Sequence, residues 1–186
     1  MSQADDPSWR QPTLTGERLL LRPLRADDWD ELFAVAADPL IWEVHPAHDR
    51  WQEPVFRAFF ANALKFEGAV AVIDRASGRI IGSSRWQGHD SERSAVEIGW
   101  TFLARSHWGG AFNRELKRLM IGHALRYVER VEFQVGETNG RSRRAMEKIG
   151  GRLTDRTTEV EMADRIVRHV IYEITRETYD SGPLQG

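Results

Sequence analysis

Residues 95–127, AVEIGWTFLARSHWGGAFNRELKRLMIGHALRY, constrain the fold more than any other stretch of this chain. Val96, Ile98, Trp100 and Phe102 alternate with Glu97, Gly99, Thr101 and Leu103, the period-two pattern of a strand. Phe112, Leu116, Leu119, Met120, Ala124 and Tyr127 then recur at helical spacing and form one apolar stripe. Trp108-Gly-Gly-Ala-Phe-Asn113 lies where strand gives way to helix. Small residues there let a ligand approach the backbone, and the first N–H groups of a helix are unpaired and sit at its positive end. Such a junction suits an anion, a phosphate above all. No Gly-Lys-Ser/Thr follows the glycines, so the nucleotide-binding P-loop is excluded, and the G-x-G-x-x-G dinucleotide pattern is absent too. A glycine pair alone equally describes a tight turn.

A second segment resolves that ambiguity. Asn139-Gly-Arg-Ser-Arg-Arg-Ala-Met-Glu-Lys-Ile-Gly150 follows the strand pattern of Val131–Val135. Asn139 is a good helix cap, and Ala145, Met146 and Ile149 give a short apolar face. Together the two segments resemble the GNAT superfamily of N-acetyltransferases, in which strand, pyrophosphate loop and helix are followed by strand, Asn-x-x-Ser/Ala, helix and glycine. Thr13–Leu24, Asp74–Gly82 and Asp164–Tyr172 resemble, in order, the opening strand, second hairpin and last strand of its ribosomal-protein N-terminal acetyltransferase (RimJ/RimL-like) branch. The resemblance implies that Trp108, Gly109, Gly110, Ala111, Phe112, Asn113 and Arg114 cradle the pyrophosphate of acetyl-coenzyme A. It implies that Asn139 and Ser142 meet the pantetheine arm and thiol end, and that backbone N–H groups of Phe102, Leu103 and Ala104 pair with the pantetheine amides. Two departures stand out. Ala111 replaces a common glycine and makes positive φ less accessible. Met146 occupies the position of the usual tyrosine general acid and excludes one there.

The 186 residues suffice for one full domain with a substantial core. A net charge of −2 gives no electrostatic case for nucleic acid or an anionic membrane. The absence of cysteine removes disulfides, thiolate metal sites and a cysteine-borne acyl intermediate. MSQADDPSW lacks an apolar core, so it does not read as a signal peptide, and the expected location is cytoplasmic.

Residues 1–12 read as a flexible leader, 13–179 as a single domain and 180–186 as a tail. Helices are expected from Asp28 to about Ala36 and from Glu53, with residues 40–50 as a loop; strands are expected near 18–22, 69–74, 80–86, 95–103, 131–135, 151–162 and 166–175. Strands interrupted by isolated helices make this an α+β (mixed α/β) fold. The resemblance implies a mostly antiparallel central sheet, splayed near its middle and flanked by helices, with the coenzyme in the splay. Of the seven tryptophans, Trp29, Trp100 and Trp108 sit in patterned elements and read as core, while Trp42, Trp51 and Trp86 read as cleft residues.

Acetyl transfer needs a neutral amine, a polarised thioester and a proton for the departing thiolate. An α-amine titrates near ~8 and demands only a modest base. Glu97 is the candidate base, because it shares its strand face with Gly99 and Thr101 and leaves room for a ligand; Glu159 and Glu161 are alternatives that read as solvated. Ser142 is the candidate acid; a first-turn serine also commonly satisfies a backbone group. Arg105, Arg114, Lys117, Arg118, Arg141, Arg143 and Arg144 make the middle of the chain basic, and most read as solvated helix faces, Arg114 being the best phosphate contact. His45-Pro-Ala-His48 lacks a third ligand, so no metal is expected; His45 with Trp42 and Trp51 reads instead as part of the acceptor groove. The sequence-based expectation is an acetyl-coenzyme A-dependent N-acetyltransferase, monomeric or homodimeric, in which a protein N-terminal α-amine or a small-molecule amine attacks directly in a ternary complex. The alternative is a coenzyme-binding or sensor module without catalysis.

Overall fold

The structure, a computed structural model, describes residues 7–162 and 165–186. Its strands are β1 (Leu14–Thr15), β2 (Leu19–Pro23), β3 (Ala69–Asp74), β4 (Ile80–Asp90), β5 (Ala95–Leu103), β6 (Arg130–Gly136), β7 (Arg152–Met162) and β8 (Arg165–Thr175). Its helices are α1 (Trp29–Ala36), α2 (Pro39–Trp42), α3 (Glu53–Lys65), α4 (Ala111–Ala124), α5 (Gly140–Lys148) and α6 (Arg176–Asp180). One eight-stranded sheet has the order β1-β2-β3-β4-β5-β6-β8-β7 and is antiparallel except between β5 and β6. The expected α+β architecture is therefore present. So is the splay: β5 and β6 pair only at Ala95–Glu97 against Arg130–Glu132, and beyond Glu97 they part.

Alternation along the strands builds two cores, one on each face. Leu19, Leu21, Val70, Val72, Trp86, Val96 and Ile98 pack under Leu116, Met120 and Ala124 of α4, together with Phe133 and Met146. On the other face Ala71, Ile73, Ile80 and Phe102 meet Leu32, Ala36, Trp42, Phe56 and Phe60 of the first three helices. Residue 100 interrupts the alternation of β5. Trp100 has φ +53°, and the pairing of β4 with β5 slips between Ser83 and Arg85. This bulge advances the strand by one residue. Glu97, Gly99 and Phe102 consequently share the α3 face, while Thr101 and Leu103 join the α4 face.

The loop expected at residues 40–50 begins as helix. Asp38 accepts the Leu40 N–H at 3.0 Å and Pro39 occupies the first turn, so Pro39–Trp42 closes one turn before the chain opens. Both chain ends are more engaged than a leader and a tail suggest. Residues 1–6 lie outside the described residues. Trp9 is buried, stacks on Tyr127 at 5.1 Å and has its carbonyl 2.6 Å from His123 Nε2. Leu184 is buried in the α4-side core. The structure also reverses much of the tryptophan assignment. Trp42 and Trp86 are buried, whereas Trp108 and Trp51 are each 41% exposed. Trp86 faces α4, where its indole N–H donates to the Met120 carbonyl, and so it lines no cleft. Among the described residues no helix is long and apolar enough to cross a membrane.

Candidate active site

The opening between β5 and β6 gathers most of the residues singled out above. At its mouth the chain passes Arg105–His107, Trp108 and the two glycines before α4 begins at Ala111. Gly109 and Gly110 have φ of +99° and +131°, which an L side chain rarely adopts, and a Cβ on either would meet nothing within 4 Å. The glycine pair thus supplies the left-handed turn, and Ala111 sits at the first helical position, where positive φ is not required. No side chain caps α4. The first intrahelical bond recorded there runs from Arg114 N–H to Gly110 C=O at 2.9 Å. The N–H groups of Ala111, Phe112 and Asn113 are thereby left at the exposed, positive end of a fourteen-residue helix.

Three of the expected loop and strand contacts need correction. The Arg114 guanidinium donates to the carbonyls of Pro183 and Gly186, so the returning C-terminal segment occupies it. Ala104 has both backbone groups committed, its N–H to Ile81 C=O at 2.7 Å and its C=O to His107 N–H at 2.9 Å. Because strand amides alternate in direction, Phe102 also points its N–H at β4, and its side chain fills the α3-side core. Of the three, only Leu103 turns its N–H toward the opening. Its carbonyl accepts the Trp108 indole N–H at 2.9 Å, fixing the strand end to the loop. Arg141 stacks over Trp108 at 4.5 Å, tying α5 to the same loop.

On the far side of the opening, Asn139 is buried and its Oδ1 accepts the Ser142 N–H at 3.1 Å, capping α5. The Ser142 hydroxyl is half-buried and makes no hydrogen bond among the described residues, so the backbone-satisfying role does not apply to it. Met146 is buried in the α4-side core.

Glu97 marks the closed end of the splay. Gln134 Nε2 donates to Glu97 Oε2 at 3.0 Å, while Gln134 Oε1 accepts the Thr158 hydroxyl at 2.9 Å. The second bond fixes which way the Gln134 amide faces, and so aims its N–H group at the carboxylate. Burial, reinforced by nearby Glu132, raises the Glu97 carboxyl to about 7, against the hydrogen bond from Gln134 and the charge of Arg85. A carboxylate titrating there is matched to proton abstraction near neutrality. Glu159 and Glu161 are exposed, as expected.

Three functional candidates escaped the sequence reading. Lys117 is 3% exposed rather than solvated. Its ammonium donates to Thr101 Oγ1 on β5 at 3.0 Å and lies 5.2 Å from the Phe133 ring on β6, so it spans the splay from the α4 side. Burial lowers it to about 7. Arg85 is 1% exposed and lies between the Trp100 and Phe59 rings at 4.9 and 5.4 Å. Arg50 lies over Phe59 at 4.7 Å and Trp42 at 5.6 Å. A helical period places Lys117 one position from the apolar stripe, and that offset was its only available signal. Nearby, His45 Nδ1 accepts the Ala47 N–H at 2.9 Å, and burial with Arg50 lowers its imidazole to about 3, which keeps it neutral. Among the described residues no group of three His, Cys, Asp or Glu side chains could hold a metal ion.

Comparison with known proteins agrees with this geometry. A family model described as an acetyltransferase (GNAT) domain matches residues 18–152. No curated protein matches the sequence. Among solved structures, a GCN5-related N-acetyltransferase from Brucella melitensis is similar at TM-score 0.77 and 23% identity, covering 91% of this chain and 81% of that one. RimJ of Mycobacterium smegmatis, solved with CoA-disulfide, is similar at 0.68 and 16%, covering 90% and 86%. A spermidine N-acetyltransferase from Vibrio cholerae, solved with CoA and spermine, is similar at 0.67 and 16%, covering 88% and 99%.

Proposed function

Because the chain belongs to the GNAT acetyltransferase family, we propose that it moves acetyl from acetyl-coenzyme A to a primary amine by direct attack within the β5–β6 opening, with Glu97 as base and Ser142 as acid. The observation that carries this reading is the placement of a carboxylate raised to about 7 at the closed end of a splay whose mouth is an uncapped, glycine-turned helix start. Acetyl-coenzyme A supplies the activated acetyl group. The residues present fit it: open N–H groups at Ala111–Asn113 for the pyrophosphate, the Leu103 N–H for a pantetheine amide, and Asn139 with Ser142 at the thiol end. Glu97 takes the proton of the incoming ammonium at Oε1, since Oε2 is held by Gln134. The Ser142 hydroxyl, without a partner of its own, donates to the leaving sulfur. The absence of cysteine is in keeping with a single ternary complex. The acceptor is an N-terminal α-amine, as in the RimJ/RimL-like branch, or a small-molecule amine, and we assign the reaction to the cytoplasm, where both substrates occur.

Two variants test the arrangement. Ala111→Asp puts a negative charge into the anion site at a position with helical φ, where an acidic residue favours the helix dipole. It should weaken coenzyme binding by calorimetry about tenfold or more without lowering the melting temperature. Unchanged affinity would remove the pyrophosphate assignment and favour the alternative of a differently bound ligand. Ser142→Ala should reduce kcat about tenfold or more while the coenzyme dissociation constant stays nearly constant, because a proton donor acts in the transition state. Full turnover across pH would pass the acid role to water.

A further inference from the structure

We propose that the acceptor amine carries a carboxylate, which Arg50 binds and Arg85 supports on the α3 face beside Glu97; this rests on the transferase reading above. The two arginines share one aromatic ring, with both guanidinium carbons within 5.4 Å of the Phe59 centroid. Burial, and after it the repulsion between these like charges, lowers the Arg50 guanidinium to about 10. Neither forms an ion pair among the described residues, and Glu97 acts on Arg85 only at a distance. Arg85 Nη1 donates to two neutral oxygens, Asn62 Oδ1 at 2.7 Å and Gln87 Oε1 at 2.9 Å, and its buried Nε has no partner among the described residues. Arg50 makes no hydrogen bond or ion pair among the described residues; the neighbouring Asp49 acts on it only at a distance.

Half-buried Arg22 and Arg156, by contrast, are each matched with a carboxylate, Asp28 and Glu132. Holding two guanidiniums together without a directly paired anion is costly, and an arriving carboxylate relieves that cost. Arg85 is sealed and Arg50 is only half-buried, so Arg50 is the one a ligand reaches. Its planar fork suits a carboxylate bidentately. Arg85 is also near enough to Glu97 to lower its pKa. The anion of the acceptor would therefore lie a short skeleton away from the amine that Glu97 deprotonates. A polyamine, cationic along its length, is disfavoured by the same pair.

The carboxylate has two sources, the α-carboxylate of a free amino acid or an acidic side chain at a peptide N-terminus. The test measures kcat/KM with acetyl-coenzyme A for L-amino acids against their carboxamides, for peptide amides beginning with Asp or Glu against those beginning with Asn or Gln, and for spermidine. One carboxylate set should be preferred over its neutral partners by about tenfold or more, through KM. The set that shows the preference identifies the source. Arg50→Gln should erase the preference without altering coenzyme affinity, and Arg50→Lys should restore only part of it. Equal use of neutral partners or of spermidine, or an undiminished preference in Arg50→Gln, overturns the proposal. Calorimetry of the same pairs against the CoA-saturated protein separates the two readings. Carboxylate-selective binding lost in Arg50→Gln, with no turnover of any amine, upholds the clamp and refutes the transferase. Unselective binding refutes the clamp whatever the turnover.

Discussion

Glu97→Gln should cut turnover about a hundred- to ten-thousand-fold at and below pH 7 and lose much less at high pH. The sign follows from two titrations. In the native enzyme the carboxyl ionises at about 7, so activity levels off above that pH while the acceptor is still an ammonium. The glutamine variant has no base and must wait for free amine, so its rate climbs about tenfold per pH unit up to the acceptor's own pKa. The defect is therefore constant below 7 and shrinks above it. A loss uniform at every pH would assign Glu97 an electrostatic or structural role. Stability should move the other way. The folded state holds this proton up to about 7, whereas an unfolded glutamate releases it near 4.5, so native stability falls as pH rises between those values. Removing the charge should stabilise the fold above pH 7 by of order 2 kcal/mol. A glutamine variant that is less active and melts higher is the expected result; one that melts lower would mean that the Glu97–Gln134–Thr158 arrangement serves the fold.

The second large effect concerns Lys117. Replacing it by methionine should raise stability near neutral pH by about 1–4 kcal/mol, which for a chain of this size is several degrees of melting temperature at about 2–4 °C per kcal/mol. Burial lowers the folded pKa from 10.5 to about 7, so the unfolded chain binds the proton throughout that window and the folded one does not. The penalty is complete below about 7 and fades as pH rises toward 10.5. The advantage of Lys117→Met should fade with it. A gain independent of pH would point to packing against Phe133 instead, and a loss would mean that the 3.0 Å bond to Thr101 outweighs desolvation.

Much of this was readable from residues alone because it depends on local periodicity. The alternation from Val96 to Gly99, the Gly109–Gly110 turn and the Asn139 cap each state their structure within a few positions; beyond Gly99 the bulge at Trp100 moves Phe102 away from Val96 and Ile98, and Thr101 away from Glu97. What escaped depends on partners far along the chain. Arg114 looked free for a phosphate until the segment at Pro183–Gly186 came back to it. Lys117 looked solvated until β5 and β6 closed over it. Trp86 is buried because strand pairing delivers it to the α4 face, whereas Trp108 follows the end of β5 and stays 41% exposed in the loop before α4. Glu97 could be placed beside Gly99 from alternation, but its elevated pKa comes first from burial and then from Glu132, neither of which spacing reveals.

The left-handed residue in the middle of β5 has a consequence for how such a chain can change over time. Side chains and amides both reverse direction from one strand residue to the next, so the single inserted position sets the parity of everything after it. With it, Phe102 belongs to the core under α3, and Leu103 presents its N–H to the gap. A substitution at Trp100 disturbs one stack. Deleting Trp100 alone would remove the bulge and, by regular alternation, leave Thr101, Phe102 and Leu103 on the sides they hold, whereas deleting a neighbour with it would exchange inside for outside along the rest of the strand. Length variation in this segment should therefore be tolerated as loss of the one inserted residue and rejected as loss of two, so that removing the left-handed position alone is less damaging than removing it with a neighbour.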